Sequence, residues 1–164
     1  MKLDTQSADE LRNAIWKNRG FPVNPVIIAN RLGIKVFKSN LPDKVYGALI
    51  KEKGKDPIII AHYADSENRQ RFTCAHELGH YVYRLQQNED DEEYEFLDLR
   101  NQQSSEGIRE EEIFANQFAA NLLMPEKEVR KLAGEEKSSL LMALYFDVST
   151  EAMKIRLKNL QIKC

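Results

Sequence analysis

Five consecutive residues, His76-Glu77-Leu78-Gly79-His80, form the pattern H-E-x-x-H inside a segment with a helical sequence pattern. Residues four apart lie on one face of an α-helix, so both histidines can present ring nitrogens to a single metal ion. Glu77 is turned by about 100° from His76 and lies beside such an ion, where a carboxylate can accept a proton from the attacking water. Gly79 would let another element approach the helix closely. Only three histidines occur in the chain, and two of them fall in this motif, which argues against a chance match.

A catalytic zinc site typically has three protein ligands, so a third ligand must come from elsewhere in the chain. Three glutamates, Glu110, Glu111 and Glu112, begin a second predicted helix. Glu112 shares one helical stripe with three apolar residues: Ala115, Ala119 and Leu122. The stripe puts Glu112 on the inward face, where a carboxylate needs a cation beside it, whereas its two neighbours point more towards solvent. We therefore predict Glu112 as the third ligand. Glu111 is the nearest rival because helix starts are uncertain by a residue or two, and the remaining histidine, His62, is a further alternative.

Composition and charge limit the possible function classes. The 164 residues carry 24 basic and 26 acidic side chains, a net charge of −2, which argues against direct nucleic-acid binding. No apolar run approaches the roughly 20 residues of a membrane helix. The first 16 residues contain no continuous apolar segment, and two cysteines, Cys74 and Cys164, make no disulfide framework. We therefore expect a cytoplasmic protein without a secretion signal.

The elements that position the motif predict an α+β fold. Three β-rich runs, at 34–38, 45–51 and 57–63, are separated by turn residues and predict a small three-stranded antiparallel sheet. Helical patterns occupy 8–17 and 25–32 before the sheet and continue after it, with Asp65 or Ser66 as the N-cap of the H-E-x-x-H helix. The sheet should therefore be packed with helices that include this one.

A strongly acidic stretch separates the two helices that carry the candidate ligands. The segment from Arg84 to Glu112, both included, contains eleven acidic and three basic residues. We predict a long loop over 86–107, because periodic apolar positions are few there. A solvated loop is the favoured interpretation of its most acidic part, 89–98, over a segment that gates the cleft or attracts a basic substrate.

The C-terminal part of the chain has its own pattern. We place a first domain, which contains the sheet and the candidate metal ligands, at 1–125 and a helical extension at 126–164, which we expect to pack on the same domain. The extension resembles a helix-turn-helix, with Lys154, Arg156 and Lys158 on its last helix. Plain structural helix pairs have the same pattern, and the net charge favours that interpretation.

Two blocks of the sequence resemble one family. RFTCAHELGH followed by EIFANQFAANLLMP is similar to the ImmA/IrrE family of gluzincin-like metallopeptidases, over roughly residues 22–125. The resemblance implies a minimal zincin-like fold and one Zn²⁺ per chain, bound by His76, His80 and Glu112, with Glu77 as the catalytic residue. Members often have Asn at the position of His62, which leaves any role of that residue open.

The resemblance also implies a function. A zinc endopeptidase of this kind cleaves a partner protein, most often a helix-turn-helix repressor of a prophage, mobile element or stress regulon. The alternative is a non-catalytic antirepressor or toxin–antitoxin partner in which zinc is structural. Zincins bind substrate as an added strand at a sheet edge, for which 45–51 is our candidate, with Gly47 permitting close approach. The oxyanion stabiliser stays open among six residues: Tyr46, His62, Tyr63, Arg69, Arg71 and Tyr81.

Overall fold

The structure is a computed structural model that describes residues 3–87, 93–99 and 106–163. Within these ranges the chain forms seven α-helices: α1 (Leu3–Leu11), α2 (Pro25–Arg31), α3 (Glu67–Gln86), α4 (Glu106–Leu123), α5 (Glu126–Gly134), α6 (Ser139–Phe146) and α7 (Thr150–Asn159). It also forms four strands: β1 (Lys35–Ser39), β2 (Val45–Lys51), β3 (Ile58–His62) and β4 (Tyr94–Leu99). A π-helical turn, Arg12–Trp16, continues α1. The α+β class is confirmed.

The sheet differs from the predicted antiparallel meander. Its strand order is β1-β3-β2-β4, so β3 lies between β1 and β2 and runs parallel to β1. The pairs β2–β3 and β2–β4 are antiparallel. The three-stranded antiparallel sheet was therefore a wrong prediction, and the sheet is mixed. The apolar character of β3 explains its interior place, while the largely exposed β1 is suited to an edge.

Strand β4 lies where we predicted a loop. Its residues pair with β2 from Tyr94↔Lys51 to Leu99↔Val45. Aromatic and aliphatic residues alternate there with acids, and pairing with β2 outweighs the acidic composition that favours a loop. Because β4 covers β2, the segment 45–51 is an interior strand of the described sheet and was wrongly taken as the edge. Two further parts of the predicted loop, 88–92 and 100–105, lie outside the described residues, as does Cys164.

Helix α3 begins as the sequence predicts and crosses the fold beside β2. The Ser66 hydroxyl caps it by accepting a hydrogen bond from the Arg69 N–H. Gly47 of β2 lies so close to both neighbours that a Cβ there would clash with the Thr73 side chain of α3 and would lie 2.8 Å from the Ile60 carbonyl oxygen of β3. A register shift between Val45 and Gly47 accompanies this approach. Gly47 therefore lies at a bulge and packs against α3, and close approach of a substrate strand at this residue stays a prediction.

Helices α3 and α4 touch at a glycine. A Cβ on Gly79 would lie 2.9 Å from Ala115 Cα and 3.0 Å from the Ala115 carbonyl oxygen. The stripe predicted to face inward on α4 is fully buried at Ala115, Ala119 and Leu122. The close approach expected at Gly79 is thus made by α4, the helix that carries the candidate third ligand.

The three last helices share the core of the rest of the chain. Met142, Met153 and Leu157 belong to the same buried cluster as Leu78 and Leu122. The boundary at 125 stays a prediction. In the described part of the chain no helix is long and apolar enough to cross a membrane.

A buried arginine ties α7 to α4, with consequences for the helix-turn-helix interpretation. Arg156 donates hydrogen bonds to the Met124 carbonyl oxygen at 2.9 Å and to Asn121 Oδ1 at 2.8 Å. Its guanidinium group is therefore withdrawn from the surface, whereas Lys154 and Lys158 are exposed. Arg156, one of the three basic residues of the helix-turn-helix interpretation, therefore stabilises the packing of α7 on α4.

Candidate metal centre

The H-E-x-x-H residues lie in the buried middle of α3. His76 and His80 are 3% and 1% exposed, and Glu77 is fully buried. The two histidines turn their Nε2 atoms towards each other at 3.2 Å. The i, i+4 spacing therefore brings both rings to one point, as the sequence predicted.

Glu112 of α4 completes this group. Its Oε2 lies 3.2 Å from His76 Nε2, and its Oε1 lies 3.0 Å from His80 Nε2. A tetrahedral zinc ion with bonds of about 2.05 Å would separate its ligand atoms by about 3.3 Å. Among the described residues these three form the one group of His, Cys, Asp and Glu side chains whose geometry could hold a metal ion. The donor set fits zinc, and the 3.2 Å between the two Nε2 atoms matches this separation.

Glu111 does not point towards solvent, so that expectation was wrong. It is 5% exposed, and its Oε1 lies 3.1 Å from His80 Nδ1. Arg84 donates to both carboxylate oxygens of Glu111, from Nε at 3.2 Å and from Nη2 at 3.1 Å. Helical phase alone missed this contact because α4 crosses α3 so that two adjacent glutamates reach opposite sides of one imidazole. Arg84, four residues after His80 on α3, is the sequence signal that could have indicated it. Glu110 is exposed, as predicted.

The electrostatics of the group match a site built for a cation. Burial lowers the pKa of His80, but hydrogen bonds to Glu111 and Glu112 outweigh it and raise that pKa above its ordinary value. Burial also raises the pKa of Glu112, but hydrogen bonds from His76 and His80 bring it down to about 2. Glu112 is therefore ionised, and its negative charge is directed at the point where the two Nε2 atoms meet.

The sequence matches the family model of the IrrE N-terminal-like domain, a peptidase family, over residues 29–158. The match covers more than three quarters of the chain. The protein belongs to this family. The predicted resemblance is confirmed, and the family domain reaches through α5, α6 and most of α7. A search of the curated proteins found no match.

Glu77 is the second residue of the H-E-x-x-H motif of this IrrE N-terminal-like domain. It follows His76 directly and packs under β2, where a Cβ on Gly47 would come within 3.8 Å of Glu77 Oε1. The neighbouring thiol of Cys74 is also buried. Burial first, and the charge of Glu77 second, raise the pKa of Cys74 to about 12, so this thiol stays protonated and belongs to the core.

His62 stands apart from the metal group. It is 6% exposed at the end of β3, and its Nδ1 accepts a hydrogen bond from the Ala64 N–H at 3.2 Å. Its backbone carbonyl accepts from Gln70 of α3 at 3.0 Å. His62, the alternative third ligand, therefore joins β3 to α3. It does not belong to the group formed by His76, His80 and Glu112.

Arg71 and Arg69, two of the six candidate oxyanion stabilisers, make other contacts. The Arg71 guanidinium is hydrogen-bonded to the backbone carbonyls of Val23, Phe146 and Asp147, which joins α3 to the C-terminal helices. Arg69 stacks on the ring of Tyr46, with 3.5 Å from the guanidinium carbon to the ring centroid. Arg71 therefore stabilises the packing of α3 on the C-terminal helices. The residue that would stabilise the oxyanion stays open among the other five candidates.

Proposed function

We propose that this protein is a zinc-dependent endopeptidase, with one Zn²⁺ bound by His76, His80 and Glu112 and with Glu77 as the general base. The observation that carries the proposal is the convergence of two Nε2 atoms, 3.2 Å apart, with the Glu112 carboxylate, whose two oxygens lie 3.2 Å from His76 Nε2 and 3.0 Å from His80 Nε2, in a chain of a peptidase family. A His₂Glu set leaves a fourth zinc position open for chemistry. A purely structural zinc has no need of a buried carboxylate next to its first ligand.

The residues divide the chemistry between them. Bound zinc supplies a Lewis acid that polarises the scissile carbonyl and makes water more acidic. Glu77 accepts the proton of the attacking water and later donates it to the leaving amine. Because Glu77 is fully buried, its carboxylate is held in one place by packing, which favours a fixed proton path.

We propose that the substrate is a helix-turn-helix repressor of a prophage, mobile element or stress regulon. We also propose that cleavage takes place in the cytoplasm. The support for it is the family resemblance, which implies limited proteolysis of such a partner. Strand addition at a sheet edge is the expected binding mode. With β2 in the interior, β4 replaces it as the candidate edge, because it is the outer neighbour of the strand that packs on α3.

Cleavage of the candidate repressor tests the proposal. Zinc-loaded wild-type protein and Glu77→Gln are each incubated with the purified repressor, and the products are identified by intact mass. The wild type should produce two fragments, while Glu77→Gln should bind one zinc and produce none, because the amide cannot accept the proton. Fragments of unchanged yield from Glu77→Gln would overturn the role of Glu77. A Glu77→Gln protein that relieves repression as well as the wild type would instead establish the non-catalytic alternative.

A further inference from the structure

We propose that Glu111, clamped by Arg84, is a positioning residue that fixes the ring of His80 for metal binding. The inference rests on the proposed function, since it concerns a ligand of the proposed zinc. Glu111 touches no ligand atom of the group; it contacts the opposite nitrogen of the His80 ring, Nδ1, at 3.1 Å. Its action on the metal therefore passes through His80.

The hydrogen bond decides which nitrogen of His80 is available. An ionised carboxylate only accepts hydrogen bonds, so His80 Nδ1 carries a hydrogen and donates it to Glu111 Oε1. A histidine binds a metal ion as the neutral ring, and with the hydrogen on Nδ1 the lone pair of that neutral ring is on Nε2, the atom that lies beside His76 and Glu112. A flip of the ring about its Cβ–Cγ bond would break the bond to Glu111 and move Nε2 away from His76 and Glu112. Partners of this kind are known to orient metal-bound histidines and to raise their basicity.

Arg84 keeps Glu111 in place. The guanidinium binds both carboxylate oxygens, a two-point contact that fixes the plane of the carboxylate. The Glu111 side chain is 7% exposed and that of Arg84 is 25% exposed, so the pair is shielded from water and its attraction is little screened. The ring of Tyr94 on β4 covers the Arg84 guanidinium carbon at 5.6 Å. The clamp thus extends from the sheet to the metal ligand.

Zinc affinity of the purified full chain tests the positioning role without any substrate. The dissociation constant is measured by competition with a chromophoric chelator for wild type, Glu111→Ala and Glu111→Gln, with Glu110→Ala as the matched control on the exposed neighbour. We expect Glu111→Ala to weaken zinc binding by about 10- to 100-fold, the usual effect of losing such a partner. Glu111→Gln should lose less, because its amide oxygen can still accept from Nδ1. Glu110→Ala should bind as the wild type does.

A second variant and a second readout separate positioning from folding. Arg84→Lys keeps the charge but loses the two-point contact, so we expect a zinc affinity between those of wild type and Glu111→Ala. The thermal unfolding of the metal-free proteins is recorded in chelator. Glu111→Ala with wild-type zinc affinity but a lower unfolding midpoint would overturn the proposal, since Glu111 would then be structural only. An equal loss in Glu110→Ala would overturn it too. A wild type that binds no zinc would overturn the proposed function as well, whereas normal zinc binding by all variants would refute only the positioning role.

Discussion

The contact between α3 and α4 at Gly79 makes a sharp prediction for Gly79→Ala. The new methyl carbon would lie 2.9 Å from Ala115 Cα and 3.2 Å from Phe118 Cβ. Carbon atoms pack at about 3.5 to 4.0 Å, so the helices must separate locally by about 0.6 Å or more. Glu112 lies three residues before Ala115, only about 4.5 Å along the helix axis. The separation therefore moves Glu112 away from His76 and His80.

Two magnitudes follow from this displacement. Metal–ligand distances in a working site hold to within about 0.2 Å, so a shift of about 0.6 Å should weaken zinc binding by at least about 10-fold. Overpacking lowers the free energy of unfolding by about 1 to 3 kcal/mol. The higher helix propensity of Ala raises it again by about 0.8 to 1 kcal/mol when Ala replaces a helical Gly. The metal-free protein should therefore lose only about 0 to 2 kcal/mol of its free energy of unfolding.

The assay pairs zinc affinity with denaturant unfolding of the metal-free protein. Gly134→Ala is the matched control, because a Cβ on this last residue of α5 would meet nothing within 4 Å. It should keep wild-type zinc affinity and unfold at the same or a slightly higher denaturant concentration. Gly79→Ala with wild-type zinc affinity would refute the reasoning that this helix contact sets the spacing of the ligands.

Three further variants probe the same framework. Glu112→Ala should weaken zinc binding by more than about 100-fold, beyond the range for an outer hydrogen-bond partner, with little change in circular dichroism; an unchanged zinc affinity would move the ligand to another residue. Gly47→Ala should lower the free energy of unfolding by about 1 to 3 kcal/mol, because the methyl group meets the Ile60 carbonyl oxygen as well as a side chain, and a stability equal to wild type in urea titration would contradict this. Arg156→Ala should cost about 3 kcal/mol through its two lost hydrogen bonds, measured against the exposed Lys158→Ala, and equal effects of both would contradict a packing role.

The sequence could predict the parts of the site that depend on one helix. The pairing of His76 with His80 follows from helical spacing alone, and the inward position of Glu112 follows from its stripe with Ala115, Ala119 and Leu122. The burial of Glu111 could not be predicted in this way, because it depends on the angle at which α4 crosses α3. That angle is a property of the packed protein, and the small residues Gly79 and Ala115 at the crossing make it possible.

The sheet was less predictable than the site for a related reason. Strand order depends on contacts between segments far apart in the chain, and local turn signals favour neighbours in sequence. The run 57–63 was correctly predicted as a strand, but local patterns did not indicate its place between β1 and β2. The acids of the stretch 89–98 obscured β4, which contains the apolar residues Tyr94, Phe96 and Leu97 and pairs with β2 along its length.

The central claim is a single zinc on His76, His80 and Glu112, and native mass spectrometry of the intact chain tests it most directly. The account predicts a mass increase of one zinc ion per chain that chelator removes, and its loss in His80→Ala at equal folding by circular dichroism. A wild-type chain that takes up no zinc, or a His80→Ala chain that retains one zinc with wild-type affinity, would contradict the account.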